Sequence, residues 1–100
     1  MSVVVTVRVS GDTDRFREFL ANEGERLRPI GEAAKGVGCL HHRFTVGDGF
    51  VLVVDEWESA EQFQQFFESN EEIPVIIRDS GGQGAPEVTI AEAVETPDQF

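Results

Sequence analysis

The stretch FVLVVDEW, residues 50–57, decides the fold, because its first five residues are apolar without interruption. A strand with apolar side chains on both faces is typical of the middle of a covered sheet. The turn signal GDG, residues 47–49, precedes this stretch, and the strand-like segment CLHHRFTV, residues 39–46, precedes the turn. Together the three segments predict a β-hairpin whose second strand lies at the centre of the sheet.

Helical patterns flank this hairpin in the sequence. After it, Ser59 and Gln62 form a capping-box pattern at the start of a helix with three phenylalanines on one stripe. Before it, apolar residues recur at helical spacing over residues 13–36, which predicts one long helix that bends at Pro29. A short helix is predicted over residues 71–79, followed by the glycine-rich connector GGQGAP.

Two further strands complete the sheet. VVVTVRV, residues 3–9, alternates between an apolar face and a mixed face, and EVTIAEAV, residues 87–94, is the last strand. The resulting order β-α-β-β-α-β predicts an α+β, ferredoxin-like split βαβ fold with a four-stranded antiparallel sheet. In that fold the first and third strands are central, and the more polar second and fourth strands lie at the edges.

The helices can cover only one face of this sheet. The other face is expected to expose an apolar patch, and such patches mark interfaces, so the sequence predicts a homodimer that joins sheet to sheet. The patch is predicted to contain Val4, Val51, Val53, Thr89, Ala91 and Ala93. A group of charged side chains is predicted to form ion pairs on the same face, namely Arg8, Arg43, Asp55 and Glu92.

Composition bounds the partners. The chain has 100 residues and a formal charge of −11, which disfavours nucleic acid and anionic membrane surfaces. No apolar run reaches the length of a membrane span and no basic leader is present, so a cytoplasmic location is expected. One domain over residues 1–100 is predicted. Its tail, about residues 95–100, is expected either to fray or to lie over the partner subunit and bury Phe100 there.

Three segments carry a resemblance to a known family. VDEWESAEQFQQFFES, residues 54–69, resembles the strand, tryptophan, cap and helix signature of the antibiotic biosynthesis monooxygenase family. GCLHHRF, residues 38–44, is similar to that family's second strand, and residues 85–100 are similar to its last strand and tail. The resemblance implies a dimeric α+β barrel with a pocket between sheet and helices. Some members oxidise anthrones or quinols without metal or flavin, and others degrade haem.

The resemblance also implies which chemistry to expect. Trp57 matches the family's tryptophan at the end of the third strand. It is expected to pack against the start of the next helix, to form a pocket wall with its indole N–H aimed at a ligand carbonyl, or to do both. The haem-degrading members use an asparagine on the first strand and a histidine on the helix after the tryptophan, and this chain has neither, so no haem and no other cofactor is expected. The chain contains no tyrosine, so an aromatic hydrogen-bond donor must be Trp57 or a histidine.

The adjacent histidines His41 and His42 raise the question of a metal site. Neighbouring residues of a strand point to opposite faces, so the two rings cannot bind one ion, and no third ligand lies at a useful spacing. No metal is predicted. His42 is expected to share the pocket face with Leu40 and Phe44, whereas His41 shares the partner face with Cys39. His42 is either a histidine at the edge of the core, hydrogen-bonded to backbone, or a general base.

Two functions follow from these expectations. In the first, a cofactor-independent monooxygenase binds a small aromatic or quinol-like substrate against Trp57, whose indole N–H faces a ligand carbonyl, and His42 accepts a proton. In the second, a non-catalytic dimeric module binds a small apolar metabolite. A formed pocket favours the first, and a filled core favours the second. The residues predicted to contact the ligand are Val7, Phe16, Leu20, Phe44, Phe63, Phe67 and Ile76.

Overall fold

The computed structural model describes all 100 residues and shows four helices packed on one face of a four-stranded antiparallel sheet. The strand order is β2-β3-β1-β4, which confirms the ferredoxin-like fold and the central position of the first and third strands. The elements are β1 Val3–Gly11, α1 Thr13–Glu23, a 3₁₀ turn Gly24–Leu27, α2 Arg28–Gly36, β2 Cys39–Val46, β3 Phe50–Trp57, α3 Ala60–Ser69, α4 Glu72–Asp79 and β4 Gly82–Glu92.

The strand register defines two faces of the sheet. Val5 of β1 lies opposite Asp55 of β3, and Val7 lies opposite Val53, so these four side chains share one face. This is the inner face, which the helices cover, and Val5 is 0% exposed there. The opposite, outer face has no helix over it. Its central apolar and small polar side chains form the outer patch, which consists of Val4, Thr6, Leu52, Val54, Thr89 and Ala91.

The predicted outer patch was wrong for strand β3. Val51 and Val53 lie on the inner face, and Leu52 and Val54 lie on the outer face in their place. Asp55, predicted among the ion pairs of the outer face, is also on the inner face. Because side chains alternate strictly along a strand, one misassigned residue moves the whole set to the other face.

Strand β2 contains a β-bulge that the sequence pattern did not reveal. Cys39 lies opposite Trp57 and His41 lies opposite Glu56, so Leu40 is an extra residue on the β2 side. The bulge reverses the predicted facing of the two residues before His41. Cys39 packs against the inner core, and Leu40 is exposed.

The helical region before β2 is interrupted rather than continuous. The chain leaves α1 through the 3₁₀ turn Gly24–Leu27, and Pro29 occupies the first turn of α2, where a missing N–H costs no helical hydrogen bond. The predicted bend therefore becomes a break a few residues earlier. Asp12 caps α1 by accepting hydrogen bonds from Asp14 N–H and Arg15 N–H.

The last strand starts five residues earlier than predicted. Its first residue, Gly82, pairs with Gly11 at the end of β1. Most of the glycine-rich segment therefore belongs to β4 instead of forming a connector. A register shift between Arg8 and Ser10 accommodates the extra pairing. Gly81 adopts φ +95° at the turn into this strand, a conformation that favours glycine.

The core lies between the inner face and the four helices. Helix α3 begins with the predicted cap: Ser59 Oγ accepts a hydrogen bond from Gln62 N–H at 3.2 Å and donates one to Gln62 Oε1 at 2.7 Å. No helix of the structure combines the length and the apolar character that a membrane crossing requires. The buried apolar side chains are Val5, Val7, Phe16, Phe19, Ala34, Trp57, Phe63 and Ile76.

Candidate functional site

An apolar cavity of about 130 Å³ lies between the inner face and the helices. Aliphatic side chains from strands β1 and β3 and from helices α2 and α4 line it. Its aromatic lining consists of Phe16, Phe44, Trp57, Phe63, Phe66 and Phe67. The core is therefore not filled, and a concave, mostly apolar site with a few polar groups is the usual form of a small-molecule pocket.

Three polar side chains in the lining of this cavity form one hydrogen-bonded group. Asp55 Oδ1 lies 2.6 Å from His42 Nδ1, and Asp55 Oδ2 accepts a hydrogen bond from Trp57 Nε1–H at 3.1 Å. Asp55 is 8% exposed, whereas the His42 side chain is 43% exposed. The buried carboxylate thus joins a buried indole to an imidazole at the rim of the cavity.

The strand register brings this group together. His42 lies directly opposite Asp55 in the β2–β3 ladder, and Trp57 follows Asp55 by two residues on the same face of β3. All three side chains therefore point to the inner face. Because both β2 and β3 belong to the sheet, the spacing of the group depends on backbone pairing rather than on a loop.

The hydrogen bond to Asp55 determines the proton position in a neutral His42 ring. A carboxylate can only accept hydrogen bonds, so Nδ1 must carry the proton. The other ring nitrogen, Nε2, then holds a lone pair and has no protein partner among the hydrogen bonds of the structure. A histidine oriented by a carboxylate in this way can accept a proton from a bound molecule.

Trp57 is the most deeply buried member of this hydrogen-bonded group. Its side chain is 1% exposed and packs against Phe63 and Phe66, with ring centroids 5.6 and 5.5 Å away. The indole N–H is used by Asp55, so it does not face a ligand carbonyl as predicted. Trp57 contributes a cavity wall and holds Asp55 in place.

Stacked aromatic rings extend from His42 into the cavity. Phe44 meets the His42 ring edge to face at 5.3 Å, and Phe16 stacks on Phe44 at 5.6 Å. Both phenylalanines line the cavity together with Val7 and Ile76. A flat apolar molecule in the cavity would therefore contact ring faces and edges close to the imidazole.

Most of the predicted ligand-contacting residues line this one cavity. They are Val7, Phe16, Phe44, Phe63, Phe67 and Ile76. Leu20 does not, because the buried stripe of α1 runs through Phe16 and Phe19 and leaves Leu20 at its margin, 41% exposed. The predicted ligand contact of Leu20 is corrected on this ground.

Asp55 is the site residue that the sequence analysis placed on the wrong face. The signal was present, since Trp57 was expected in the pocket and Asp55 precedes it by two residues on a strand. The same reasoning would have paired Asp55 with His42 only if the hairpin register had been known. That register is set at the hairpin turn, which pairs Val46 with Val51 and so places His42 opposite Asp55.

Cys39 lies at the same end of the inner face but does not join the hydrogen-bonded group. Burial, with the nearby Asp55 carboxylate as the smaller cause, raises the pKa of the Cys39 thiol to about 11. Its Sγ donates to the His41 carbonyl oxygen at 3.3 Å. A thiol with this pKa is a poor nucleophile near neutral pH. No group of three or more histidine, cysteine or acidic side chains lies close enough to hold a metal ion.

Comparison with solved structures identifies the fold. SnoaB, a cofactor-independent oxygenase from Streptomyces nogalater, superposes with a TM-score of 0.63 at 12% identity, over 98% of each chain. An antibiotic biosynthesis monooxygenase matches with a TM-score of 0.66 at 12% identity, over 93% of this chain and 99% of the other. The chain has the fold of the antibiotic biosynthesis monooxygenases.

A third structure extends this comparison. A dimeric ferredoxin-like protein from an uncultured marine organism matches with a TM-score of 0.68 at 12% identity, over 99% of this chain and 93% of the other. No protein-family model and no curated protein matches the sequence. At these identities the similarity establishes a common fold and leaves the activity to the residues of the site.

Proposed function

We propose that this protein is a cofactor-independent monooxygenase that acts on a small quinol-like aromatic substrate, with His42 as the general base. The observation that carries the proposal is the His42 ring, oriented by Asp55 at the rim of an apolar cavity. The fold shared with a cofactor-independent oxygenase supports the reaction class. Asp55 and Trp57 act as positioning residues in this proposal, because each acts through its neighbour.

The first step is a proton transfer. A quinol hydroxyl at the rim of the cavity donates to His42 Nε2, and the proton moves to the imidazole. The resulting imidazolium is stabilised by the Asp55 carboxylate 2.6 Å from Nδ1. The substrate becomes a quinolate, which is electron-rich enough to react with molecular oxygen.

The second step forms a carbon–oxygen bond and releases water. Dioxygen adds to a ring carbon of the quinolate, and the resulting peroxide anion takes the proton from His42 to form a hydroperoxide. His42 then removes the hydrogen of that ring carbon as a proton while the O–O bond breaks, and the carbon becomes a carbonyl. The departing hydroxide takes this proton from His42 and leaves as water. For a hydroquinone, the overall change is hydroquinone plus O₂ to hydroxybenzoquinone plus water. Four electrons reduce O₂, and all four come from the substrate, so the reaction needs no other reductant.

The alternative function is a dimeric module that binds a small apolar metabolite without changing it. One observation favours this function: the indole N–H of Trp57 is used inside the protein and the chain has no tyrosine, so no aromatic side chain donates a hydrogen bond to a ligand. In this case the His42–Asp55 pair would serve to stabilise the β2–β3 pairing.

We also propose that the protein forms a homodimer through the outer patch. In one chain this patch has no cover, and its residues lie at the centre of the sheet, where apolar surface normally meets another layer. Phe100 is fully exposed beyond the end of β4, so a partner subunit is the surface on which the tail would be buried. The dimeric relative supports this arrangement.

The test of the oxygenase uses 1,4-hydroquinone as the probe under ¹⁸O₂. The expected result is O₂ uptake above the rate with heat-denatured protein, and one ¹⁸O atom in the hydroxybenzoquinone product. His42→Gln should lower kcat/KM by about 10²- to 10⁴-fold, because the base is removed. His41→Gln is the matched control, since His41 lies on the outer face, and it should keep kcat/KM within about twofold.

Two outcomes would contradict the oxygenase. Binding of hydroquinone without O₂ uptake by the wild-type protein would favour the binding module. Equal turnover by the His42→Gln and His41→Gln variants would show that His42 is not the base.

A further inference from the structure

We infer that the molecule bound in this cavity is an uncharged aromatic alcohol with a single ring, and that the site rejects both anionic aromatics and fused three-ring aromatics. The inference rests on the proposed function for the role of the hydroxyl. Its selectivity for size and charge rests on the cavity itself.

The volume of the cavity limits the ligand to a single ring. The cavity measures about 130 Å³, and an apolar protein cavity of about 150 Å³ is known to accommodate one benzene molecule. A single ring therefore fits between the sheet and the helices. A third fused ring would have to displace packed aromatic side chains such as Phe16 and Phe63, both of which are buried. Interiors resist such overpacking.

The charges in the lining disfavour an anionic ligand. The lining contains no lysine and no arginine, and its titratable side chains are His42, Asp12 and Asp55. Both oxygens of the Asp55 carboxylate already accept hydrogen bonds, so it stays an acceptor that repels a ligand carboxylate. A buried anion without a cationic partner is strongly disfavoured. The formal charge of −11 for the whole chain acts in the same direction.

The position of His42 at the rim determines the direction in which the ligand lies. His42 is the lining side chain with a free hydrogen-bond acceptor on its ring, and it lies at the rim. The ring of the ligand is then surrounded by Phe16, Phe44 and aliphatic side chains. A hydroxyl that donates to Nε2 and a ring that enters the cavity satisfy both surroundings at once.

The experiment measures binding by calorimetry without oxygen, so that no turnover occurs. The size series is phenol, 2-naphthol and 2-anthrol. Nonspecific apolar binding strengthens with each added ring, because more apolar area is buried, whereas this inference predicts that 2-anthrol binds more weakly than phenol. The charge pair is 4-hydroxybenzamide and 4-hydroxybenzoate, which have nearly the same shape. The neutral amide should bind at least about tenfold more tightly.

Two adjacent alanines of α2 provide a matched test of location. Ala34 is buried in the cavity wall, and Ala33 is exposed and does not line the cavity. Ala34→Leu fills part of the cavity and should weaken phenol binding by about tenfold or more, whereas Ala33→Leu should leave it unchanged. Thermal melting checks that both variants fold. If Ala34→Leu does not fold, the ligand series on the wild-type protein still tests the inference.

Three results would overturn the inference: no phenol binding at millimolar concentration, equal binding of the amide and the carboxylate, or tighter binding of 2-anthrol than of phenol. An unchanged phenol affinity in folded Ala34→Leu would show that phenol does not bind in this cavity. Selective binding without later O₂ uptake would leave this inference in place and remove the oxygenase. Turnover of hydroquinone without this selectivity would support the oxygenase and overturn this inference.

Discussion

Asp55 is the residue on which the proposed chemistry of the site depends. Its two oxygens join His42 and Trp57, and its burial limits competition from water for those two hydrogen bonds. In the serine proteases, a buried aspartate holds a histidine in the reactive tautomer without itself taking the proton. The β2–β3 ladder of this protein builds the same pair from two facing strand residues.

Replacing Asp55 by asparagine should impair turnover more than binding. The amide keeps the size of the side chain but presents an N–H group, which favours the wrong His42 tautomer. The corresponding change in a serine protease lowers kcat by about 10⁴-fold. We expect a large loss of kcat in Asp55→Asn with little change in KM, measured as O₂ uptake with hydroquinone. Glu56→Gln, one residue away on the outer face, is the control. A normal kcat in Asp55→Asn would contradict the positioning role.

Cys39 provides a pH-dependent prediction. The pKa of its thiol is about 11 in the folded chain, against an ordinary value of 9.0. The folded chain therefore holds its proton at pH values where the unfolded chain has lost it, so stability falls as pH rises from 9.0 towards 11. Alkylation by iodoacetamide should be slow at pH 9 in the native protein and fast in urea. Equal rates in the two states would contradict the raised pKa.

At the residue scale, the sequence predicted the composition of the site better than its geometry. The alternation along β2 and β3 correctly separates His41 from His42 and puts Phe44 with the latter. The bond between His42 and Asp55 depends on the register between the two strands, which the turn signal alone does not define. The bond between Trp57 and Asp55 joins two residues of one strand, and it was missed because Asp55 was assigned to the other face of β3.

At the scale of elements, helix α3 completes the site by packing its phenylalanines against Trp57. Phe63 contacts both Trp57 and Phe67, at 5.6 and 5.3 Å between ring centroids. The stripe of three phenylalanines and the cap at Ser59 were predictable, because helical spacing and capping are local signals. The early start of β4 was not, because it depends on pairing with distant residues of β1.

Removing Phe63 should therefore destabilise the whole chain. Phe63 is buried, so Phe63→Ala should lower the free energy of unfolding by about 3–5 kcal/mol, through lost transfer energy and a new cavity. Gln64→Ala, the next residue on the exposed side of α3, should change it by less than about 0.5 kcal/mol. Urea unfolding at one protein concentration measures both. Similar values for the two variants would show that α3 does not anchor the core.

At the scale of the whole molecule, the sheet has one covered face and one open face. The helices leave Val4, Leu52 and Val54 without cover in the single chain. The existence of an open face was predictable from the number of helices. Its composition was not, because the facing of β3 was misassigned by one residue.

A charge at the centre of the outer patch should separate the proposed dimer. Val54 lies between Thr6 and Arg43 in the ladder, so Val54→Glu would bury a carboxylate at a sheet-to-sheet interface. Light scattering should give twice the 11.1 kDa chain mass for the wild type and the single mass for Val54→Glu. Gln64→Glu adds the same charge on α3 and should stay dimeric. A monomeric wild type would contradict the proposed interface.

The proposed chemistry depends on a neutral His42 ring whose proton lies on Nδ1. Long-range ¹⁵N–¹H correlation spectra of the wild-type protein measure this directly, with His42→Gln used to assign the ring signals. We expect a protonated Nδ1 and an unprotonated Nε2 at alkaline pH, and a change at Nε2 when phenol is added without oxygen. A protonated Nε2 with a free Nδ1 would contradict the bond to Asp55, and with it the role of His42 as the base.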